Sequence, residues 1–127
     1  MEAVIIDQTP KTPHIQLHPK SGMLEMHGRS IPENAVDFYA PVFRWLDAYC
    51  LEAPTKTSLH IRFEYFNTSS SKCLLDLFKK LKSLHLSGKS EVTVYWHYEE
   101  DDEDMLEAGE DFHSIIRIPF EMMKYVD

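Results

Sequence analysis

Two alternating stretches with a helical stripe between them constrain this chain more than any other feature. Ser58 to Phe66 sets Leu59, Ile61, Phe63 and Tyr65 against His60, Arg62, Glu64 and Phe66, the two-residue period of a strand. Glu91 to Tyr98 sets Val92, Val94, Trp96 and Tyr98 against Thr93, Tyr95 and His97 in the same way. This second strand carries aromatic residues on both faces, which places it inside a sheet. Between the two, Cys73, Leu74, Leu77, Phe78, Leu81, Leu84 and His85 recur at spacings of three and four, one apolar face of a helix. Ser87-Gly88-Lys89 ends it, with Gly88 suited to a left-handed conformation. Strand, helix and strand in succession call for an α/β layer.

The flanking segments extend that layer. Val4-Ile5-Ile6 is a short apolar run, and Thr9-Pro10-Lys11-Thr12-Pro13 is a loop. His14–His18 and Met23–His27 read as the arms of a hairpin around Lys20-Ser21-Gly22, with Gly28 closing the second arm. Asn34 is suited to cap a helix over 35–51, with Ala35, Tyr39, Val42, Phe43, Leu46, Tyr49 and Cys50 on one face. Pro41 lies inside that pattern and should kink or split it. Val36, Phe38 and Trp45 widen the apolar arc, as in a deeply packed helix or one with a docking flank. A weaker helical pattern covers 102–112. Ile115 to Phe120 reads as a last strand with Pro119 at its end, and 121–127 as a terminal helical turn. The expected architecture is a single α/β domain over residues 1–127, a mixed β-sheet with two main helices packed on it.

Composition narrows the function. At 127 residues, 43% of them hydrophobic, the chain is long enough for one core and too short for two ordinary domains. Cys50 and Cys73 lack metal or redox spacing and read as reduced, buried thiols. No signal peptide and no membrane-length apolar run is visible, so a cytoplasmic protein is expected. The net charge of −8 is local, because residues 99–111 hold nine acids and no Lys or Arg, while the remainder is near balance. Such a surface disfavours nucleic acid, and the acidic run disfavours an anionic membrane. Six successive acids at 99–104 lack the alternating ligands and central glycine of a calcium loop. They read as a solvated helix face or as a docking patch for a basic partner. The seven histidines are scattered without a strong ligand spacing, and neither a Walker loop nor a nucleophile elbow is present. No cofactor, no metal and no catalytic residue is expected.

The junction Phe66-Asn67-Thr68-Ser69-Ser70-Ser71-Lys72 carries the candidate site. A helix start offers unpaired N–H groups and the positive end of a dipole. One hydroxyl caps such a start, whereas four in succession exceed that need, and no capping-box Glu or Gln follows. Spare hydroxyls there are suited to carry a phosphate.

Asn67-Thr68-Ser69-Ser70 is similar to the phosphorylation motif of anti-anti-sigma (STAS-type) proteins. More closely, the whole chain resembles the SiaC family of bacterial regulatory phosphoproteins. The likeness rests on Phe63–Lys72, on Asn34-Ala35-Val36-Asp37-Phe38-Tyr39, and on Tyr95-Trp96-His97-Tyr98-Glu99 with its acidic tail. It implies a STAS-like fold and a non-enzymatic, cytoplasmic partner switch. A SiaB-like kinase would phosphorylate Thr68 and a SiaA-like PP2C-type phosphatase would remove the phosphate. The unphosphorylated form would bind and activate a SiaD-like diguanylate cyclase in cyclic di-GMP and biofilm signalling. Phe66, Asn67, Ser69, Ser70, Ser71 and Lys72 would border the partner contact. Anti-anti-sigma proteins usually carry Asp where this chain has Asn67.

Three alternatives accompany this expectation. One is an anti-anti-sigma factor binding an anti-sigma kinase. The second is a small enzyme using His97 with Glu99 or His113. The third is a small-molecule sensor with a pocket lined by Trp45, Tyr65 or Trp96.

Overall fold

The computed structural model describes residues 1–126. Six strands form one mixed sheet in chain order: β1 (Val4–Ile6), β2 (His14–His18), β3 (Met23–Ser30), β4 (Lys56–Phe66), β5 (Glu91–Glu99) and β6 (Phe120–Tyr125). The first three pair antiparallel, and β3 to β6 are mutually parallel. Each parallel step needs a crossover, supplied by α1 (Ala35–Tyr49), α2 (Thr68–Leu86) and α3 (Glu103–Ile116). Every step advances the same way across the sheet, so right-handed crossovers place all three helices on one face.

Burial follows that one-sided layering. Ile15, Leu17, Leu24, Met26, Leu59, Ile61, Val92, Val94 and Trp96 are buried beneath the helices. Their strand neighbours Gln16, Glu25, His60, Tyr95 and His97 are half-buried on the helix-free face. The third helix closes tightly: Gly109 meets Trp96 so closely that a Cβ there would lie 2.4 Å from Cδ1. The Trp96 indole donates to the Met105 carbonyl at 2.9 Å.

Several expectations need correction. Residues 115 and 116 end α3, Arg117 takes a left-handed conformation (φ 62), and the last strand lies beyond Pro119. The terminal helical turn read over 121–127 is therefore β6 as far as Tyr125, and Asp127 lies outside the described residues. Pro41 neither ends nor splits α1, because it lies on the exposed side, where water can reach the carbonyl of Asp37 that it leaves unpaired. Met23–His27 continues through Gly28 to Ser30. Cys73 is buried as expected, but Cys50 is only half-buried. Burial raises the pKa of both thiols, which keeps them protonated. Gly88, with φ 79, follows α2 as its left-handed residue.

The end of β4 also departs from simple alternation. Gly28 pairs with Phe63 and Arg29 with Tyr65, so Glu64 is an extra residue in β4. Such a bulge re-aims the side chains that follow. Tyr65, which strict alternation puts on one face with Leu59, Ile61 and Phe63, is 58% exposed, and Phe66 turns under the helices against Phe63, Trp96 and Phe112.

Candidate functional site

Asn67 connects β4 to α2 and is the N-cap of the helix. Its side-chain oxygen accepts from the Ser70 N–H at 2.9 Å, and its own N–H donates to the Ser30 carbonyl at 3.0 Å. The cap satisfies one of the orphan donors of the first turn. Thr68 and Ser69 are exposed at the first two helical positions, and the Ser69 hydroxyl reaches the Asn67 oxygen at 3.3 Å.

Ser70 has a different role from its neighbours. It is fully buried, and its hydroxyl donates to the Ser30 carbonyl at 3.0 Å. Ser30 Oγ donates to Ser70 Oγ at 2.8 Å and lies 2.6 Å from the Tyr39 hydroxyl, which then donates to it. A directional chain of three hydroxyls thus ties α1, β3 and α2 together. Burial pushes the Tyr39 pKa well above the ordinary phenol value, so this hydroxyl stays a donor. Ser70 therefore anchors the junction from inside and has no side-chain atom to offer a partner.

Thr68, Ser71, Lys72 and Leu75 follow at the helical offsets of three, four and seven, forming one stripe. The stripe borders a groove of about 260 Å³ between α2 and α3, lined by Phe66, Ser71, Lys72, Leu75, Ala108, Phe112 and Ile115, with Asp111 at its rim. Ile115 is 57% exposed there. The junction residues Phe66, Ser71 and Lys72 are thus brought to one surface with the exposed Thr68.

The acidic run has a local structural use. Asp102 caps α3 by accepting from the Met105 N–H at 3.0 Å, and Glu103 and Asp104 occupy its first turn. Acids there complement the helix dipole. The carboxylates of Glu99, Glu100 and Asp101 gather within 4.8 Å of one another on the preceding turn.

Of the enzyme alternative, His97 and Glu99 line one concavity on the helix-free face, two residues apart on β5, while His113 lies elsewhere, and the sensor alternative finds no shared geometry. His97 pairs with His60 at 3.0 Å, whereas His113 stacks on Phe120 at 5.2 Å from the helical layer. Trp45 stacks on Tyr49 in the core, Trp96 is fully buried, and Tyr65 points outward, so the three line no common pocket.

The histidines hold the feature that sequence reasoning missed. His14 and His18 from β2, His27 from β3, His60 from β4 and His97 from β5 all occupy the helix-free face. They lie on or beside an open concavity of about 980 Å³ lined by Glu25, His27, Arg29, His60, Arg62, His97 and Tyr125, among others. Burial lowers the pKa of His60 and His97, so both rings are neutral near pH 7. The available signal was the out-facing phase of each strand, which places histidine on the polar face in four of them.

An exposed threonine at a capped helix start, bordering an open apolar groove, suits a regulatory domain that is modified and docked. The family model for "SiaC family regulatory phosphoprotein" matches residues 6–125, and the chain belongs to that family. An uncharacterized protein of Pseudomonas aeruginosa strain UCBPP-PA14 is 32% identical over 120 residues, 94% of each chain. Apo-SiaC of Pseudomonas aeruginosa superposes with a TM-score of 0.88 at 32% identity, covering 97% of this chain and 99% of that one. A structure of the diguanylate cyclase SiaD in complex with its activator SiaC, from the same organism, gives 0.90 at 31% identity, covering 96% and 99%.

Proposed function

We propose that this chain is a non-enzymatic phospho-switch whose unphosphorylated form binds and activates a diguanylate cyclase in the cytoplasm. A cognate kinase phosphorylates Thr68, and a PP2C-type phosphatase restores the threonine. The observation that carries this reading is the exposed Thr68 at the first position of α2, on the stripe that borders the α2–α3 groove. Family membership and the complex formed by the related SiaC support the choice of partner.

Phosphorylation adds about −1.5 to −2 charges at neutral pH. Within the domain that charge faces the positive end of α2, and Lys72 lies one turn further on. Beneath a docked partner the same charge loses water or meets like charge, which weakens binding by several kcal/mol, about 3–5 for a buried unpaired ion. The fold is unchanged while the partner is excluded.

Titration calorimetry of the cyclase with wild type, Thr68→Ala and Thr68→Glu tests this. Wild type and Thr68→Ala bind alike, and Thr68→Glu binds far more weakly. Equal binding by Thr68→Glu and Thr68→Ala would remove the charge-exclusion mechanism.

A further inference from the structure

We propose that His60 and His97, with Glu25, form a site for an imidazole-favouring divalent transition metal, zinc being the representative ion, on the helix-free face of the sheet. His60 Nδ1 and His97 Nε2 point at each other across adjacent parallel strands at 3.0 Å. Two nitrogens bound to zinc at 2.0–2.1 Å in a tetrahedral arrangement lie about 3.3 Å apart. The ring centroids, 5.3 Å apart, already suit two imidazoles on one tetrahedral ion, and each ring has to swing by about 35° so that its lone pair points at the ion instead of at the other nitrogen. The ring that donates in the present hydrogen bond moves its proton to its other nitrogen, and no proton need be lost.

Neighbouring groups steady the His60 ring and bring charge to the pair. His60 stacks on Tyr95 with centroids 4.4 Å apart and planes 8° from parallel. Glu25 stands opposite His60 in the register of β3 and β4, and its charge acts on both imidazoles. It now lies 4.0 Å from His27 Nε2 and does not gather with the two nitrogens, so it becomes the third ligand only by turning from His27 to the pair. Arg62, the cation that disfavours charge on His97, has its guanidinium over the Tyr125 ring at 4.1 Å. The open concavity leaves room for a water as fourth ligand. Two imidazoles and one carboxylate select zinc, copper or nickel over magnesium or calcium.

The site lies on the opposite face of the sheet from the helices. An ion there links β3, β4 and β5 without touching Thr68.

Zinc chloride alone, titrated calorimetrically into the full chain, tests the assignment. Wild type and Thr68→Glu take up one ion per chain with the same affinity. His60→Gln and His97→Gln each weaken binding at least tenfold, and Glu25→Gln weakens it less. In parallel, the imidazole carbon-bound proton resonances of His60 and His97 in wild type shift saturably, while those of His85 and His113 stay in place. Absence of saturable uptake, uptake that persists unchanged in the His60→Gln and His97→Gln variants, or shifts confined to other histidines would overturn the proposal.

Discussion

The two faces of the sheet use the same strands in opposite ways. On the covered face, three helices press Leu59, Ile61, Val94 and Trp96 out of water, and Gly109 admits α3 to Trp96 with no space left. On the bare face, the alternate residues of those strands form a half-wet array of histidine, arginine, glutamate and tyrosine around an open concavity. A packed layer fixes geometry through dispersion and excluded volume. A bare layer keeps freedom to accept ions or partners, because its groups have not lost all their water. Thr68 belongs to the covered side, yet it stands at the rim where packing stops. It combines a fixed position with open access.

Neighbours in β5 give the sharpest way to break the comparison. Trp96→Ala should cost about 3–5 kcal/mol, the range for emptying a buried aromatic site. Tyr95→Ala, one residue away on the bare face, loses one ring stack and should cost about 0.5–1.5 kcal/mol. Urea denaturation measures both, and equal costs would mean that the bare face is packed like the other.

A smaller contrast lies within the junction. Ser70→Ala removes a hydroxyl from the buried chain with Ser30 and Tyr39 and should cost about 1–3 kcal/mol. Ser69→Ala, on the exposed side, should stay within about 0.5 kcal/mol. Thermal unfolding of the two variants distinguishes the interior anchor from the surface hydroxyl.

The mildest effect is one of pH. His60 and His97 have folded-state pKa values below the ordinary 6.5. Their unfolded forms therefore take up protons first as the pH falls. Their contribution to stability is whole above pH 6.5 and is lost as the pH drops through that value toward the folded pKa values. Melting temperature recorded from pH 7.5 to 5 should fall in wild type, and fall less steeply in a His60→Gln, His97→Gln double variant.

Much of the covered face was legible in the sequence. The strand at Ser58–Phe66 as far as Phe63, the stripe from Cys73 to Leu84 and the strand at Glu91–Tyr98 as far as Trp96 each keep one period, and their core faces are those the structure buries; beyond Phe63 the bulge at Glu64 reverses the alternation. The last strand was misplaced because no glycine stands at the end of α3 and Pro119, two residues past its C-cap, was read as the end of a strand rather than as a helix stop. Arg117 takes the left-handed position instead, so Ile115, Ile116 and Ile118 read as a strand. The run of spare hydroxyls at the start of α2 was visible as local chemistry, the choice of Thr68 among them rests on the family motif alone, and the structure leaves that side chain exposed. The separation of Ser70 from the other hydroxyls depended on a partner forty residues away in sequence, Ser30, beyond the reach of local pattern. The histidine face was dispersed for the same reason: four strands contribute to it, and only sheet register assembles them.

The supernumerary Glu64 decides more than its own position. It changes the parity of β4 just before the chain enters α2, so that Phe66 points inward as a pivot and the residues after it emerge in a set orientation. Excising that single residue would turn the downstream backbone by half a revolution relative to the sheet. The hydroxyl now offered to solvent and the one now sealed inside would no longer keep those places. The accessibility of Thr68 is thus decided upstream of the helix, by a counting rule in the strand that delivers it.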